Sequence, residues 1–367
     1  MEKYILPLVL ALALGYLITP GVRVLAIKAG ALDHPNPRKV HSGVMPRMGG
    51  LAVYLAFVPA VLLIRYLLPN ASLPVWGLLT GATIILLVGM LDDMRGLTPR
   101  VKLLGQIVAA LAVIPFGIQI HYITNPLTGQ LLFLGLLSIP LTVFWVVAVT
   151  NAINLIDGLD GLAGGVSCIA ALTMAAVAWT QWHLFSLSGM PEMIMLALVL
   201  VAAVTGFLKH NFHPATIFLG DSGSLFLGFT LAVMSIMSLT KSATAVSVII
   251  PLVILGVPLL DTFFAVIRRY NKHKPIFQPD REHLHHQLMA MGLSHRQTVL
   301  VIYAISAFLG LTAVVLNLVS NDHALAMLVV LAILLIYSAD RVGVLGISHR
   351  MRRGITDKYR QRRSSKM

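Results

Sequence analysis

The sequence predicts an all-α, polytopic integral membrane protein with about eleven transmembrane helices, its N-terminus outside and its C-terminus cytoplasmic. Three observations predict it. Of the 367 residues, 57% are hydrophobic and only 11% charged, with a mean hydropathy of +0.87, far from a soluble domain. Apolar runs of about 18–22 residues recur along the chain, each long enough to span roughly 30 Å of hydrocarbon. All but three of the 27 Lys and Arg (Lys3, Arg65 and Lys241) fall at the ends, loops or tail that share one side, and a positive-inside bias makes that side cytoplasmic.

In order, the spans are expected near 4–24, 49–68, 73–91, 102–120, 131–150, 161–181, 193–209, 223–240, 245–267, 298–319 and 323–340. Residues 1–341 form one transmembrane catalytic domain. Residues 342–367 form a basic cytoplasmic tail, including Arg350, Arg352, Arg353, Arg360, Arg362 and Arg363. The net charge of +13 is concentrated in such places, so it predicts contact with anionic membrane lipids and no nucleic acid. Lys3 before an apolar run resembles a secretion signal, but cleavage near residues 26–31 would cut into a loop of functional character. The single cysteine, Cys168, excludes an intrachain disulfide and a multi-cysteine metal site.

With this orientation the inward side receives 25–48, 92–101, 151–160, 210–222 and 268–297, and every unusual polar motif lies there. The outward connections are mostly short and carry little charge. Five of the 14 acidic residues sit in three motifs: Asp92-Asp93, Asn151-x-x-Asn154-x-x-Asp157-Gly158-Leu159-Asp160-Gly161, and Gly220-Asp221-Ser222-Gly223-Ser224. A carboxylate at mid-membrane costs roughly 2.5–3.5 kcal/mol; collected at one interface, carboxylates avoid most of that and can share one polar site. The central thirds of the spans hold almost no formal charge, which argues against an ion-coupled transporter. A non-catalytic scaffold leaves the aspartate motifs without a purpose.

Each motif has a chemical reading beside a plainer one. In the first loop, Arg38, Lys39 and Arg47 suit phosphate, and Gly49-Gly50 permits close backbone approach; the plainer reading is a positive-inside loop. Asp92 and Asp93 repel each other unless a divalent ion, a lysine or a shared proton intervenes, and a helix C-terminus makes their placement costlier. Asn151, Asn154, Asp157 and Asp160, spaced by three, put neighbouring oxygens on a shared helix face and suit a hard cation such as Mg²⁺. Interhelical hydrogen bonding alone would explain Asn151 but not the two aspartates. Asp221 is either a helix cap or a ligand that brings a cation to a helix start. Asp280-Arg281-Glu282-His283-Leu284-His285-His286 could bind zinc, yet no second cluster completes such a site; contact with a diphosphate or sugar is the better reading. Asp261 is read as a partner of Arg268 or Arg269, with no catalytic role.

Together the motifs resemble the polyprenyl-phosphate N-acetylhexosamine-1-phosphate transferase superfamily, in order, from about residue 28 to 290. Any one motif is weakly specific; five in order is a strong signal. The pattern Asp280-Arg281-x-His283-x-His285-His286 and the eleventh span resemble the branch that uses UDP-N-acetylglucosamine (UDP-GlcNAc). The phospho-MurNAc-pentapeptide branch has a compact triple histidine, which Leu284 interrupts here. The resemblance implies Mg²⁺ as cofactor, with Mn²⁺ also acceptable, and undecaprenyl phosphate as acceptor at the plasma (inner) membrane. It implies Asn154 and Asp221 at the metal and Asp92 at the lipid phosphate, with Asp93 hard to separate from it. Asp157 and Asp160 would support nucleotide and metal. Lys39, Arg47, Asn151, Arg281, His283, His285 and His286 would contact substrate. Oligomeric state is open, a homodimer being compatible, and so is the choice between direct displacement and a covalent aspartyl intermediate.

Overall fold

A computed structural model describes residues 2–34, 43–69, 73–125, 130–187, 189–239, 249–271 and 283–342. Its main elements are helices: α1 Glu2–Lys28, α2 Gly49–Leu67, α3 Val75–Arg95, α4 Pro99–Val113, α5 Ser138–Ile156, α6 Leu162–Phe185, α7 Met190–Asn211 and α8 Gly220–Leu239. They continue with α9 Ile249–Ile254, α10 Gly256–Asn271, α11 Leu284–Ala290, α12 His295–Leu316 and α13 Asn321–Val342. Among the described residues, nine helices are long and apolar enough to cross a membrane. The protein is a multi-pass, all-α membrane protein, with helix α8 at its centre. That helix is packed by α2, α3, α5, α6 and α7 and carries Phe226, Phe229 and Leu231 fully buried.

The ninth span departs from the continuous helix expected over 245–267. It is broken into α9 and α10 around Leu255, beside Gly256 and Pro258, residues that weaken and interrupt helical hydrogen bonding. Helix α4 ends earlier than expected, because a short 3₁₀ turn at Ile114–Phe116 leads to Gly117 at φ 81°. The expected helix at 131–150 instead opens with strand β4 and runs further, as α5, to Ile156. That extension places Asn151 and Asn154 inside a helix rather than in a loop.

Two small hairpins were not foreseen. β1 (Leu32–Asp33) pairs antiparallel with β2 (Met45–Pro46), and β3 (Tyr122–Thr124) with β4 (Leu131–Phe133). The first matters for the site. Its β2 edge continues into an isolated parallel bridge between Arg47 and Phe218, and the Phe218 N–H donates to the Pro46 carbonyl at 2.9 Å. The Gly49 and Gly50 N–H groups donate to the carbonyls of Phe218 and Leu219 at 3.0 and 2.9 Å. Donors at a helix start that lack an intrahelical partner thus find one in the segment before α8. Gly50 packs against the backbone of Ser222 and Gly223 with no room for a Cβ, the close approach that the paired glycines suggested.

Candidate active site

The ends of α3, α5 and α7 and the starts of α2, α6, α8 and α12 meet at one end of the bundle around a cavity of about 320 Å³. Its wall includes Arg47, Asp93, Asn154, Asp157, Asp160, Asp221, His285 and His286, so residues from five separate motifs converge as expected. Asp92, Asn151 and His283 stand behind that wall. Lys39, Arg281 and the tail from 343 onward lie outside the described residues.

Asp93 sits in the last turn of α3, where the helix dipole disfavours it, but its side chain faces the first turn of α8. One oxygen accepts from the Asp221 N–H at 2.9 Å and the other from the Ser222 N–H at 3.0 Å. The positive end of one helix thereby offsets the negative end of another. The Arg47 guanidinium donates to the Asp93 and Asp92 carbonyls at 3.1 and 3.3 Å, neutralising the same helix terminus. Arg47 therefore serves backbone carbonyls in this structure while its side chain still borders the cavity.

Asp92 turns the other way. It accepts from the Leu97 N–H at 2.5 Å and pairs with the Lys102 ammonium at 2.8 Å. Lys102, from α4, also reaches Asp221 at 3.0 Å. A lysine was one of the three remedies expected for the Asp-Asp pair, and here one cation bridges two motifs.

Asp221 and Asn154 come together: the Asn154 amide donates to Asp221 at 2.5 Å and to the Ser224 hydroxyl at 2.8 Å. Asn151, one turn earlier on α5, exchanges amide hydrogen bonds with Gln106 of α4 at 2.6 and 3.2 Å. In this arrangement Asn151 joins two helices, as interhelical polar contacts commonly do.

Asp157 caps the end of α5, and no donor among the described residues reaches its carboxyl. Burial first, then the charges of Asp221, Asp93 and Asp160, hold it well above the usual carboxylate range. A half-buried acid that gains no hydrogen bond among the described residues and faces three others fits a hard divalent cation. Asp160 is better served, accepting from the His213 ring at 2.8 Å and the Ala215 N–H at 3.2 Å. His213 stacks on His295, with centroids 4.2 Å apart and planes 23° off. The ligand atoms of Asp160, His213 and His295 lie within 4.8 Å of one another. Near-parallel rings aim their in-plane lone pairs side by side, however, which suits a stacked hydrogen-bonded group better than one shared metal ion.

His285 is 3% exposed. Burial first, then the neighbouring His286, pushes its pKa down to about 3, so it borders the cavity as a neutral imidazole. Sequence reasoning gave no role to several residues that build this wall or brace it: Asp33, Asn211, His213, Phe218 and His295 line it, and Tyr303 donates to the Gly161 carbonyl at 2.5 Å. Asn211, 4% exposed, ties the Gly161 N–H to the Ile217 carbonyl. The one sequence signal was Asn211-Phe212-His213-Pro214 just before the Gly-Asp motif.

The chain is 42% identical to a probable undecaprenyl-phosphate N-acetylglucosaminyl 1-phosphate transferase of Bacillus subtilis (strain 168), over 94% of each chain. The sequence profile of glycosyl transferase family 4 also matches residues 75–239. The chain belongs to glycosyl transferase family 4. Other members of similar sequence include a decaprenyl-phosphate N-acetylglucosaminephosphotransferase of Mycobacterium tuberculosis (strain CDC 1551 / Oshkosh), 34% identical over 78% of this chain and 76% of its own. An undecaprenyl-phosphate alpha-N-acetylglucosaminyl 1-phosphate transferase of Salmonella typhimurium (strain LT2) is 31% identical over 79% and 78%. The family match covers α3 through α8, which with the turn between α5 and α6 supply Asp92, Asp93, Asn154, Asp157, Asp160 and Asp221.

Proposed function

We propose that this family 4 glycosyl transferase moves N-acetylglucosamine 1-phosphate from UDP-GlcNAc to undecaprenyl (polyprenyl) phosphate. The reaction releases UMP and forms the lipid-diphosphate-sugar that initiates a cell-envelope glycopolymer. The active site faces the cytoplasm at the plasma (inner) membrane, in line with the charge asymmetry of the loops. One observation carries the reading: carboxylates from three helix ends converge on a single cavity beside Lys102 and Arg47, in a chain whose relatives are named for this transfer.

An oxygen of the acceptor phosphate attacks the phosphorus that bears the sugar. The bond from that phosphorus to the bridging oxygen breaks, and the bridging oxygen leaves with UMP. Such transfers need mostly positioning and charge neutralisation, so a direct displacement suffices. Asn154 and Asp221, supported by Asp157, would hold Mg²⁺ (or Mn²⁺), which supplies positive charge to the donor diphosphate. Lys102, bridging Asp92 and Asp221, would bring positive charge to the acceptor phosphate, and Asp92 would orient the acceptor through it. Asp93 holds the start of α8 in place. Neutral His285, with His286, offers hydrogen bonds to sugar or diphosphate without adding charge.

An apolar groove of about 420 Å³ runs between α4 and α5. Leu103, Ile107 and Leu111 form one side of it and Ile139, Val143 and Phe144 the other. It begins at the residue after Lys102, so a prenyl chain lying there puts its phosphate at Lys102 and Asp92.

The test is UMP release by purified protein in detergent with undecaprenyl phosphate, Mg²⁺ and either UDP-GlcNAc or UDP-MurNAc-pentapeptide. Release with UDP-GlcNAc alone, abolished by EDTA, is expected. Release only with the pentapeptide donor would overturn the donor assignment. Folded protein that releases UMP from neither overturns the reaction.

A further inference from the structure

Asp261, in α10, is 4% exposed and lies on none of the family motifs described above. Both of its oxygens are engaged 22 and 23 residues further along the chain. One is 2.9 Å from Nδ1 of His283, and the other accepts the Leu284 N–H at 2.9 Å. His283 is the N-cap residue of α11, yet its own side chain caps nothing. Asp261 provides from another helix the acceptor that an N-terminus needs. A carboxylate only accepts, so Nδ1 of His283 carries the proton.

The next link leads to the cavity. The rings of His283 and His285 are parallel, 4° apart in plane with centroids 6.1 Å apart, and His286 lies tilted against His285, 42° off with centroids 4.2 Å apart. His285 and His286 line the cavity, whereas Asp261 and His283 do not. His285 also lies against Gly158, whose Cβ position is filled by the imidazole Nε2. The placement of α11 therefore sets the fit of His285 against the turn that carries Asp157. Its Nδ1 is buried without a hydrogen-bond partner among the described residues.

We infer that Asp261 is a positioning residue for sugar-donor binding, an inference that rests on the transferase reading above. It clamps the histidine helix from α10 and fixes the His283 tautomer, so that His285 and His286 present a set geometry to the donor. A buried cap that merely holds a helix would require only an acceptor. Asp261→Asn separates the two, because its amide oxygen can still take the Leu284 N–H while its NH₂ opposes the His283 proton.

Expected for Asp261→Asn is a roughly 10- to 100-fold fall in kcat/KM for the sugar donor, the range seen when supporting hydrogen bonds to site histidines are lost. KM for the lipid acceptor and the melting temperature should stay near wild type. Wild-type kcat/KM for the donor, or an equal loss toward donor and acceptor, would overturn the assignment. A second measurement needs no turnover: diethyl pyrocarbonate labelling read by mass spectrometry, comparing His285 with the exposed His213. His285 should be protected in the wild type and at least several-fold more reactive in Asp261→Asn; unchanged protection overturns the clamp. If the wild-type enzyme releases no UMP, the transferase reading fails, while the labelling still decides whether Asp261 holds α11.

Discussion

Gly89→Ala tests whether the close contact between α3 and α8 sets the site. A Cβ at Gly89 would lie 2.5 Å from the Ser222 Cα and 2.7 Å from the Asp221 carbonyl oxygen, against an ordinary contact of 3.4–4 Å. All of those atoms are backbone, so relief requires the first turn of α8 to retreat by about 1 Å, on packing grounds. The Asp93 bonds to that turn, now 2.9 and 3.0 Å, would then pass beyond hydrogen-bond range. Overpacking costs about 1–3 kcal/mol, partly offset by the roughly 1 kcal/mol that alanine gains over glycine within a helix. The Asp93 carboxylate left without these donors costs about 1–3 kcal/mol more, so the melting temperature should fall, and a 1 Å displacement of Asp221 should lower turnover roughly 100-fold. The assay is UMP release beside a thermal melt. Gly21→Ala in α1, where a Cβ meets nothing within 4 Å, serves as control and should keep full activity. Turnover at the wild-type level in Gly89→Ala would refute the argument.

Other substitutions address single contacts. Asp221→Asn removes the charge shared by Lys102 and Asn154 and should abolish turnover in folded protein; near-native UMP release would discard its metal role. Asp93→Asn leaves one acceptor for two N–H groups and should cost about 1–3 kcal/mol, read as a lowered melting temperature with wild-type expression. Ile107→Trp should fill the α4–α5 groove and raise KM for undecaprenyl phosphate several-fold with KM for UDP-GlcNAc unchanged; the reverse split would place the lipid elsewhere. The pH dependence has two opposed parts. His285, held at about 3 against roughly 6.5 unfolded, stabilises the protein at neutral pH. That stability is lost as pH falls below the unfolded value, about 1.4 kcal/mol by pH 5.5. Asp157, raised when folded, binds a proton that the unfolded chain has released, so its contribution declines as pH rises. At the proposed site Mg²⁺ would take the place of that proton, so the melting-temperature gain from Mg²⁺ should grow from pH 5.5 to pH 8. A gain independent of pH would remove Asp157 from the metal site.

Much of this was legible in the sequence for a physical reason. Apolar length reports a span directly, and sparse carboxylates at span ends report an interface, because the bilayer penalises both errors heavily. The family resemblance placed Asn154 and Asp221 at one site, and their side chains are found in contact. What could not be read is where each polar group points. Asn151 has the spacing of its neighbours yet turns to Gln106, a residue with no motif around it. Asp93 looked like half of an acidic pair, but besides Arg47 at 3.8 Å its hydrogen-bond donors are backbone N–H groups, which leave no mark in side-chain identity. Asp261 was read beside the adjacent arginines because local pairing is the simplest inference; its contact with His283 depends on how α10 and α11 pack. The break at Leu255 was likewise hidden, since Gly256 and Pro258 lie in an apolar run that scores as one span.

The bonds from Asp93 to the start of α8 join residues 128 and 129 positions apart in the chain, and this separation bears on biogenesis. Ribosomes add about 5–20 residues per second, so α3 exists for several seconds before α8 is made. During that interval the Asp93 carboxylate lacks both of its α8 donors and must remain at the hydrated edge of the bilayer. Translation therefore yields inserted spans well before it yields a site, and the last polar joint closes only when the central helix docks among neighbours already in place. Nascent chains arrested before residue 220 should insert normally yet remain open to proteases at the α3 end, a window in which a quality-control protease could tell unfinished copies from finished ones.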